Sequence, residues 1–165
     1  MRRSTLCYIY RGDQVLMLHR TRKKNDINHD KWLGIGGGIE AGESVEACLL
    51  REAKEETGLT LTRYRYRGVV DFASDVYEDE EMHLFTADGF TGDLIQCDEG
   101  DLEWIDRSIL LRLPHWEGDA IFLKLLDQDA PFFRLRLEYA GEQLKRAVLN
   151  GEIIRGGNRN AMQLS

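Results

Sequence analysis

Three glutamates crowd the C-terminal end of a predicted helix: Glu52, Glu55 and Glu56 lie within REAKEETGL, just before its glycine. At 100° per residue they fall within an arc of about 100° on one helix face. Each pair of like charges at this spacing costs roughly 0.2–0.5 kcal/mol, and each negative charge near the C-terminal carbonyls roughly 0.3–1 kcal/mol more. A bound divalent cation would relieve this repulsion, because hard cations prefer carboxylate oxygens. The alternative is a solvated acidic face that Arg51 and Lys54 partly neutralise.

A glycine-rich passage, KWLGIGGGIEAGE, precedes that helix at residues 31–43. A P-loop needs Gly-Lys-Ser/Thr before its helix, and the chain has GGGIEAGES instead. A dinucleotide-binding fingerprint that begins at Gly34 would need a third glycine where the chain has Ile39. Both patterns are excluded. What remains is a backbone with few side chains, which can approach a ligand or metal ion closely.

Length and charge restrict the class of protein. A chain of 165 residues with 42% hydrophobic and 31% charged residues is typical of one globular domain. A net charge of −7 argues against a nucleic acid polymer as the main partner, although a small phosphorylated substrate stays possible. No apolar run approaches the length of a membrane span, and no signal-peptide pattern is present. We therefore expect a cytoplasmic protein with no membrane partner.

The cysteines indicate neither disulfides nor a zinc site. Cys7, Cys48 and Cys97 are scattered and form no CxxC motif. We expect small buried hydrophobic side chains that need no oxidising compartment.

Strand and helix signals alternate in an order that fits an α/β fold. Ser44 is a good N-cap for a helix that runs to Thr57 and turns Val45, Leu49 and Ala53 toward the core. The other predicted elements are a hairpin (5–10 and 14–20), strands at 63–73, 81–90, 102–106 and 131–141, a helix at 116–128, and a C-terminal helix with a frayed tail. This order favours helices packed on the faces of a mixed sheet.

The segment GGIEAGESVEACLLREAKEETGL (37–59) resembles the Nudix box, in which glycine, glutamate and an Arg-Glu…Glu-Glu group recur at fixed spacing. Its fixed positions are filled by Gly37, Glu43, Arg51, Glu52, Glu55, Glu56 and Gly58. The resemblance implies a Nudix fold, an α/β/α sandwich around a mixed β-sheet, over residues 1–141, with 142–165 as a C-terminal extension. It also implies hydrolysis of a nucleoside diphosphate that is linked to another group.

The resemblance further implies roles for individual residues. Glu52, Glu55 and Glu56 are expected to bind Mg²⁺ or Mn²⁺, with Glu52 also helping to activate water. The carbonyl of Gly36 is expected to be a further ligand. Arg51 is expected to orient the helix carboxylates through charge-assisted hydrogen bonds.

Two more acids are assigned from the same resemblance. Glu43 is expected to tie the loop to the helix. Glu99, in CDEGDLEW, matches an acid that several relatives contribute to the metal ions, and its neighbours Asp98, Asp101 and Glu103 are competing candidates.

The wider chain resembles the MutT-type branch, whose members hydrolyse oxidised purine nucleotides such as 8-oxo-dGTP to the monophosphate and pyrophosphate. Arg20 and Lys23 are then expected to contact phosphates, and Trp116 and Asp119 to hold the base. Leu33 is a departure, since some enzymes of this branch have a polar base-reading residue there. The alternatives are a Nudix enzyme for ADP-ribose, a dinucleoside polyphosphate or an ordinary nucleoside triphosphate, and a Nudix domain that senses a nucleotide without cleaving it.

Overall fold

The computed structural model describes residues 1–22 and 25–156. Two α-helices, one 3₁₀ helix and ten strands occur in these ranges. They are β1 (Arg2–Arg11), β2 (Gln14–Arg20), β3 (Trp32–Leu33), β4 (Ile35–Gly38), α1 (Val45–Thr57), β5 (Thr60–Ser74), β6 (Glu80–Thr91), β7 (Gly100–Asp106), the 3₁₀ helix (Arg107–Arg112), α2 (Asp119–Asp127), β8 (Phe133–Ala140), β9 (Gln143–Leu149) and β10 (Glu152–Arg155). Within the described ranges, no helix has both the length and the apolar character that crossing a membrane requires.

One compact unit comprises Ser4–Tyr66 and Leu84–His115. In it β1 and β2 form the predicted antiparallel hairpin, β1 also pairs with β4, and β2 also pairs with β3 and β7. Gly12 closes the hairpin with φ of 58°, a conformation that glycine adopts without strain. The buried core of this unit consists of Cys7, Ile9, Leu16, Leu18, Ile35, Leu49, Ala53, Leu59, Leu61, Phe85, Ala87 and Cys97.

A second compact unit comprises Met1–Arg3, Arg67–His83 and residues 116–156. Here β5 runs parallel to β8, β8 is antiparallel to β9, and β9 is antiparallel to β10. Parallel and antiparallel neighbours in one sheet, together with helices, confirm the predicted α/β class with a mixed sheet.

Helix α1 has both of the ends that the sequence predicts. The Ser44 hydroxyl accepts a hydrogen bond from the Ala47 N–H at 3.1 Å. Gly58 ends the helix with φ of 81°, and its N–H donates to the Lys54 carbonyl. Leu49 and Ala53 are buried as expected, and Val45 packs at the edge of the same core.

The predicted C-terminal helix is wrong, because residues 143–149 and 152–155 form β9 and β10. The buried residues of β9, Leu144 and Ala147, are three positions apart, so it is the antiparallel pairing with β8 that identifies this segment as a strand. Asn150 and Gly151 link the strands with φ of 50° and 86°, as a tight Asn-Gly hairpin turn requires. The frayed tail predicted beyond residue 156 lies outside the described residues.

The three cysteines are buried and free, as predicted. Burial raises the pKa of each thiol, most strongly that of Cys7. Strong burial of this kind keeps a thiol protonated and unreactive.

Candidate active site

Arg51 is the centre of a charged network that joins helix α1 to the C-terminal half of the glycine-rich passage. Its Nε and Nη2 atoms donate to the two carboxylate oxygens of Glu43 at 2.7 and 2.9 Å. Nη2 also donates to the Gly38 carbonyl at 3.0 Å. Nη1 reaches Glu52 at 2.9 Å and Glu55 at 3.1 Å. One guanidinium therefore holds the loop and two helix carboxylates in fixed relation, which is the orienting geometry expected of Arg51.

Glu43 ties the loop to the helix, as the resemblance implies. In addition to the Arg51 pair, its carboxylate accepts a hydrogen bond from the Glu40 N–H at 3.1 Å. The Arg51 hydrogen bonds, followed by the Glu40 N–H, lower the pKa of Glu43 to about 2. Glu43 is therefore ionised throughout the neutral range, and the pKa of Arg51 is raised in return.

Three carboxylates lie close enough to repel one another: Glu52, Glu56 and Glu99. Glu56 is only 8% exposed, and one of its oxygens accepts a hydrogen bond from the Gly36 N–H at 3.0 Å. Burial, followed by the charges of Glu99 and Glu52, raises the pKa of Glu56 far above that of an ordinary glutamate. Burial also raises the pKa of Glu52, and the Arg51 hydrogen bond opposes that rise. Glu55 differs, with 59% of its side chain exposed.

This set of side chains fits a hard divalent cation. Buried carboxylates that raise one another's pKa are stabilised by a positive ion, and oxygen ligands are those that Mg²⁺ and Mn²⁺ prefer. Within residues 1–22 and 25–156, no three His, Cys, Asp or Glu side chains converge into a ready-made metal cluster. The physical reason is visible in Glu52 and Glu55, whose oxygens point to Arg51. Arg51 contacts one oxygen of each carboxylate, Oε1 of Glu52 and Oε2 of Glu55, so metal binding at this site would use the other oxygen of each.

The glycines beside the cluster provide space that a methyl group would fill. A Cβ on Gly37 would lie 2.5 Å from the carboxylate carbon of Glu52. A Cβ on Gly36 would lie 1.8 Å from the Thr5 carbonyl oxygen, since β4 pairs with β1 there. From the sequence, we expected the glycine-rich backbone to approach a ligand or metal ion closely. The structure shows that Gly36 allows close strand pairing and that Gly37 accommodates the Glu52 carboxylate.

Alanine at these two glycines should therefore have different effects. We expect Gly36→Ala to destabilise the protein by about 1–3 kcal/mol, because backbone must move. We expect Gly37→Ala to leave the melting temperature nearly unchanged, because only the flexible end of Glu52 must shift. A displacement of that carboxylate by about 1 Å should still lower turnover by on the order of 100-fold. Thermal melts and turnover of both variants check this; equal effects on stability would contradict it.

Arg20 lies beside Glu99 but is already engaged. Its Nε and Nη2 atoms contact Asp26 at 2.9 Å, and Nη1 lies 3.4 Å from Glu99. The structure thus places Arg20 against Glu99, a contact that sequence reasoning missed because the two residues lie far apart along the chain. Lys23, the other predicted phosphate contact, lies outside the described residues. Trp32 precedes Leu33, the position where some MutT-type enzymes have a polar base-reading residue. Its ring stacks on His19 with ring centroids 4.3 Å apart.

Trp116 and Asp119 belong to the second compact unit. Asp119 is the first residue of α2 and is only 6% exposed, and its N–H donates to the Trp116 carbonyl at 3.0 Å. The Trp116 ring meets the edge of Tyr139, with centroids 5.4 Å apart. The Tyr139 hydroxyl accepts a hydrogen bond from the Gly118 N–H at 2.8 Å. The turn that carries both predicted base contacts is therefore firmly held.

The C-terminal strands hold the same turn. The Glu117 carboxylate accepts a hydrogen bond from the Leu144 N–H of β9 at 3.2 Å and pairs with Arg155 of β10 at 2.7 Å. The Leu144 N–H, more than Arg155, lowers the pKa of Glu117. Residues 143–155 thus anchor the Trp116–Asp119 turn, a role that the sequence did not indicate.

The raised pKa of Glu56 predicts an unusual pH dependence of stability in EDTA. A carboxylate whose folded pKa is raised stabilises the fold at low pH, and that contribution is lost as pH rises through the folded pKa. We therefore expect the melting temperature in EDTA to fall between about pH 5 and pH 8.5. Excess Mg²⁺ should reverse the trend, because it binds the ionised form.

Glu56→Gln is the control for this pH dependence, because it removes the titrating group. The variant should show a flatter profile in EDTA across the same range. A wild-type melting temperature that rises steadily with pH in EDTA would contradict the assignment.

The sequence is similar to those of known proteins. Residues 1–126 match the NUDIX domain family. An uncharacterized Nudix hydrolase of Bacillus subtilis, YvcI, is 31% identical over 131 residues, which cover 76% of this chain and 79% of the relative. An oxidized purine nucleoside triphosphate hydrolase of Danio rerio is 30% identical over 130 residues, which cover 78% of this chain and 81% of the relative.

Solved structures of MutT proteins have a similar fold. The crystal structure of a mutator MutT protein from Bacillus halodurans matches with a TM-score of 0.81 and 28% identity, covering 92% of this chain and 99% of that one. A MutT protein structure from Methanosarcina mazei matches with a TM-score of 0.68 at 23% identity, which supports the fold alone.

Proposed function

Because this chain belongs to the Nudix hydrolase family, we propose that it cleaves a nucleoside triphosphate to the monophosphate and pyrophosphate, acting on oxidised purine nucleotides such as 8-oxo-dGTP. The observation that carries the proposal is the buried Glu56 beside Glu52 and Glu99. Carboxylates that repel one another favour the binding of cations, and the bound cations would in turn attract a polyphosphate.

The residues that would hold Mg²⁺ or Mn²⁺ are Glu52, Glu56 and Glu99, with Glu55 and the Gly36 carbonyl as further ligands. In such a site the ion neutralises phosphate charge and lowers the pKa of a bound water. The contribution of the protein's other groups is to orient the carboxylates. Arg51 fixes Glu52 and Glu55, and the Gly36 N–H fixes one oxygen of Glu56.

Glu52 is the group that we propose accepts the proton of the attacking water. Burial raises the pKa of its carboxylate, which makes it a stronger base than an exposed glutamate. The Arg51 hydrogen bond limits that rise, so the group stays available as a base near neutral pH.

The substrate assignment is supported by two observations. The Danio rerio relative carries the name oxidized purine nucleoside triphosphate hydrolase. The Asp119 carboxylate, buried at the first turn of α2, could accept both N–H donors on the edge of a guanine-type base. Adenine presents no such adjacent pair. The indole of Trp116 could stack on any purine for about 1–3 kcal/mol, which adds affinity but little selectivity.

The test is a magnesium-dependent product-release panel. It should include 8-oxo-dGTP, dGTP, ATP, ADP-ribose and a dinucleoside polyphosphate, with EDTA as the blank. We expect the highest kcat/KM for 8-oxo-dGTP, with the monophosphate and pyrophosphate as products. Preference for ADP-ribose or a dinucleoside polyphosphate would replace the substrate assignment. No turnover on any nucleotide, with tight binding retained, would favour a nucleotide sensor.

A further inference from the structure

A surface groove of about 760 Å³ opens in the unit formed by Ser4–Tyr66 and Leu84–His115. Its lining residues come from the β1–β2 turn, the start of β5, the end of β6 and the start of the 3₁₀ helix: Tyr10, Arg11, Gly12, Thr62, Arg63, Asp88, Gly89, Phe90 and Arg107. None of these residues belongs to the Arg51 network or to the glutamate cluster, by which we mean Glu52, Glu55, Glu56 and Glu99. We call this feature the arginine groove.

The charge of the arginine groove is opposite to that of the whole protein. Its lining has three arginines and one aspartate, a balance of +2, whereas the chain carries −7. A concave surface with one sign of charge concentrates ions of the opposite sign. In a protein that would otherwise repel phosphates, this is a local attraction for an anion.

Two of the arginines are held by aromatic rings. The Arg107 guanidinium carbon lies 4.5 Å from the centre of the Tyr10 ring, and that of Arg11 lies 4.2 Å from the centre of Trp104. Stacking of this kind orients a guanidinium without neutralising its charge, because the partner carries none. The ring contacts therefore orient both guanidinium groups beside the groove, and Arg11 also donates to the Gln14 side-chain oxygen at 3.0 Å.

The third arginine can change partners at little cost. Arg63 pairs with Asp88 at 2.6 Å, but both side chains are well exposed, at 73% and 61%. An exposed pair of this kind contributes only about 0–1 kcal/mol. A phosphate, with more charge and more acceptor oxygens than a carboxylate, can replace Asp88 on Arg63.

The glycines keep the groove open. Gly12 lies at the tip of the hairpin, and a Cβ there would meet open space. A Cβ on Gly89 would lie 2.8 Å from the Arg63 Cβ and 2.9 Å from the Thr62 hydroxyl. Glycine at 89 therefore lets β6 approach β5 and keeps the Thr62 hydroxyl at the surface of the groove as a further hydrogen-bond donor.

We propose that the arginine groove is a second anion site that binds polyphosphate, free or as part of a nucleotide, without a metal ion. Guanidinium groups from separate chain segments match a ligand with more than one phosphate group, because each fork binds phosphate oxygens through paired N–H donors. The proposal does not depend on the substrate of the glutamate cluster.

Titration calorimetry in EDTA with inorganic triphosphate tests this site, because chelation removes metal-dependent binding at the glutamate cluster. Wild type and Glu56→Gln should both bind saturably. The Arg11→Ala/Arg107→Ala variant should bind at least about tenfold more weakly. Arg65→Ala, an exposed arginine of β5 outside the lining, is the matched control and should bind like wild type.

Arg63→Ala provides a second variant that disturbs no ring contact, and it should also weaken binding. ATP in place of triphosphate distinguishes the ligand's source: equal affinity assigns recognition to the phosphates, and tighter ATP binding adds a contact to the nucleoside. The absence of saturable triphosphate binding, or equal binding by the double variant, would overturn the proposal. So would a parallel loss of magnesium-dependent turnover at saturating substrate, because the arginines would then serve the catalytic site.

Discussion

Replacing Glu56 with Gln should lower magnesium-dependent turnover by on the order of 10²–10³-fold while the fold survives. Glutamine keeps the shape of the side chain and can still accept the Gly36 N–H. It removes the negative charge that a divalent cation needs. Because the change also ends the repulsion with Glu99 and Glu52, the melting temperature in EDTA should rise.

Glu46→Gln is the matched control for this prediction. Glu46 lies in the first turn of the same helix, where its carboxylate accepts a hydrogen bond from the Tyr64 hydroxyl. Its turnover should stay close to wild type. Glu55→Gln should also lose turnover by orders of magnitude if this more exposed carboxylate is a ligand. Near-normal turnover of both Glu55→Gln and Glu56→Gln at saturating Mg²⁺ would refute the metal site.

Replacing Asp119 with Ala should lower kcat/KM for 8-oxo-dGTP by roughly 10- to 150-fold, the equivalent of about 1.5–3 kcal/mol for hydrogen bonds to a charged group. Any weak ATP hydrolysis should be nearly unchanged, because adenine lacks the adjacent N–H donors. Steady-state kinetics on both nucleotides measure this difference.

The selectivity ratio separates base recognition from a structural role of Asp119. Asp127→Ala, at the other end of α2, is the control and should leave kcat/KM for both nucleotides unchanged. Because Asp119 is buried, its loss could also destabilise α2, and a thermal melt would show that. Equal losses on both nucleotides, or no loss on either, would remove Asp119 from base recognition.

The helix of the candidate site was predictable because its signals are local. Ser44 and Gly58 mark its two ends, and the spacing of Glu52, Glu55 and Glu56 places them on one face whatever the rest of the chain does. The fit of Glu52 against Gly37 was not predictable. It depends on the register of β4 against β1, which pairs residues about 30 positions apart.

The contrast between local signals and long-range contacts also explains where else the structure differs from the sequence-based predictions. The link between Arg20 and Glu99 joins chain segments far apart in sequence, and a sequence pattern cannot supply such a distance. The wrong prediction of a C-terminal helix had another origin. QLKRAVLNGEIIR contains an Asn-Gly pair between two short apolar stretches, a local hairpin signal that was present but outweighed by helix-forming residues.

The C-terminal hairpin has a consequence for where this protein can be shortened. Strand β8 is flanked by β5 on one side and by β9 on the other. Cutting the chain after residue 141 would leave the second side of β8 with open N–H and C=O groups and would uncover Leu135 and Leu137. An unpaired strand of eight residues with one apolar face invites strand addition between copies and hence aggregation. β10 is less prone to such pairing as an edge strand, because it is only four residues long and exposed throughout. It also has charges at Glu152 and Arg155 and a register shift after Ile153. The last two strands thus guard against self-association, and the boundary that the sequence favoured at residue 141 would remove them.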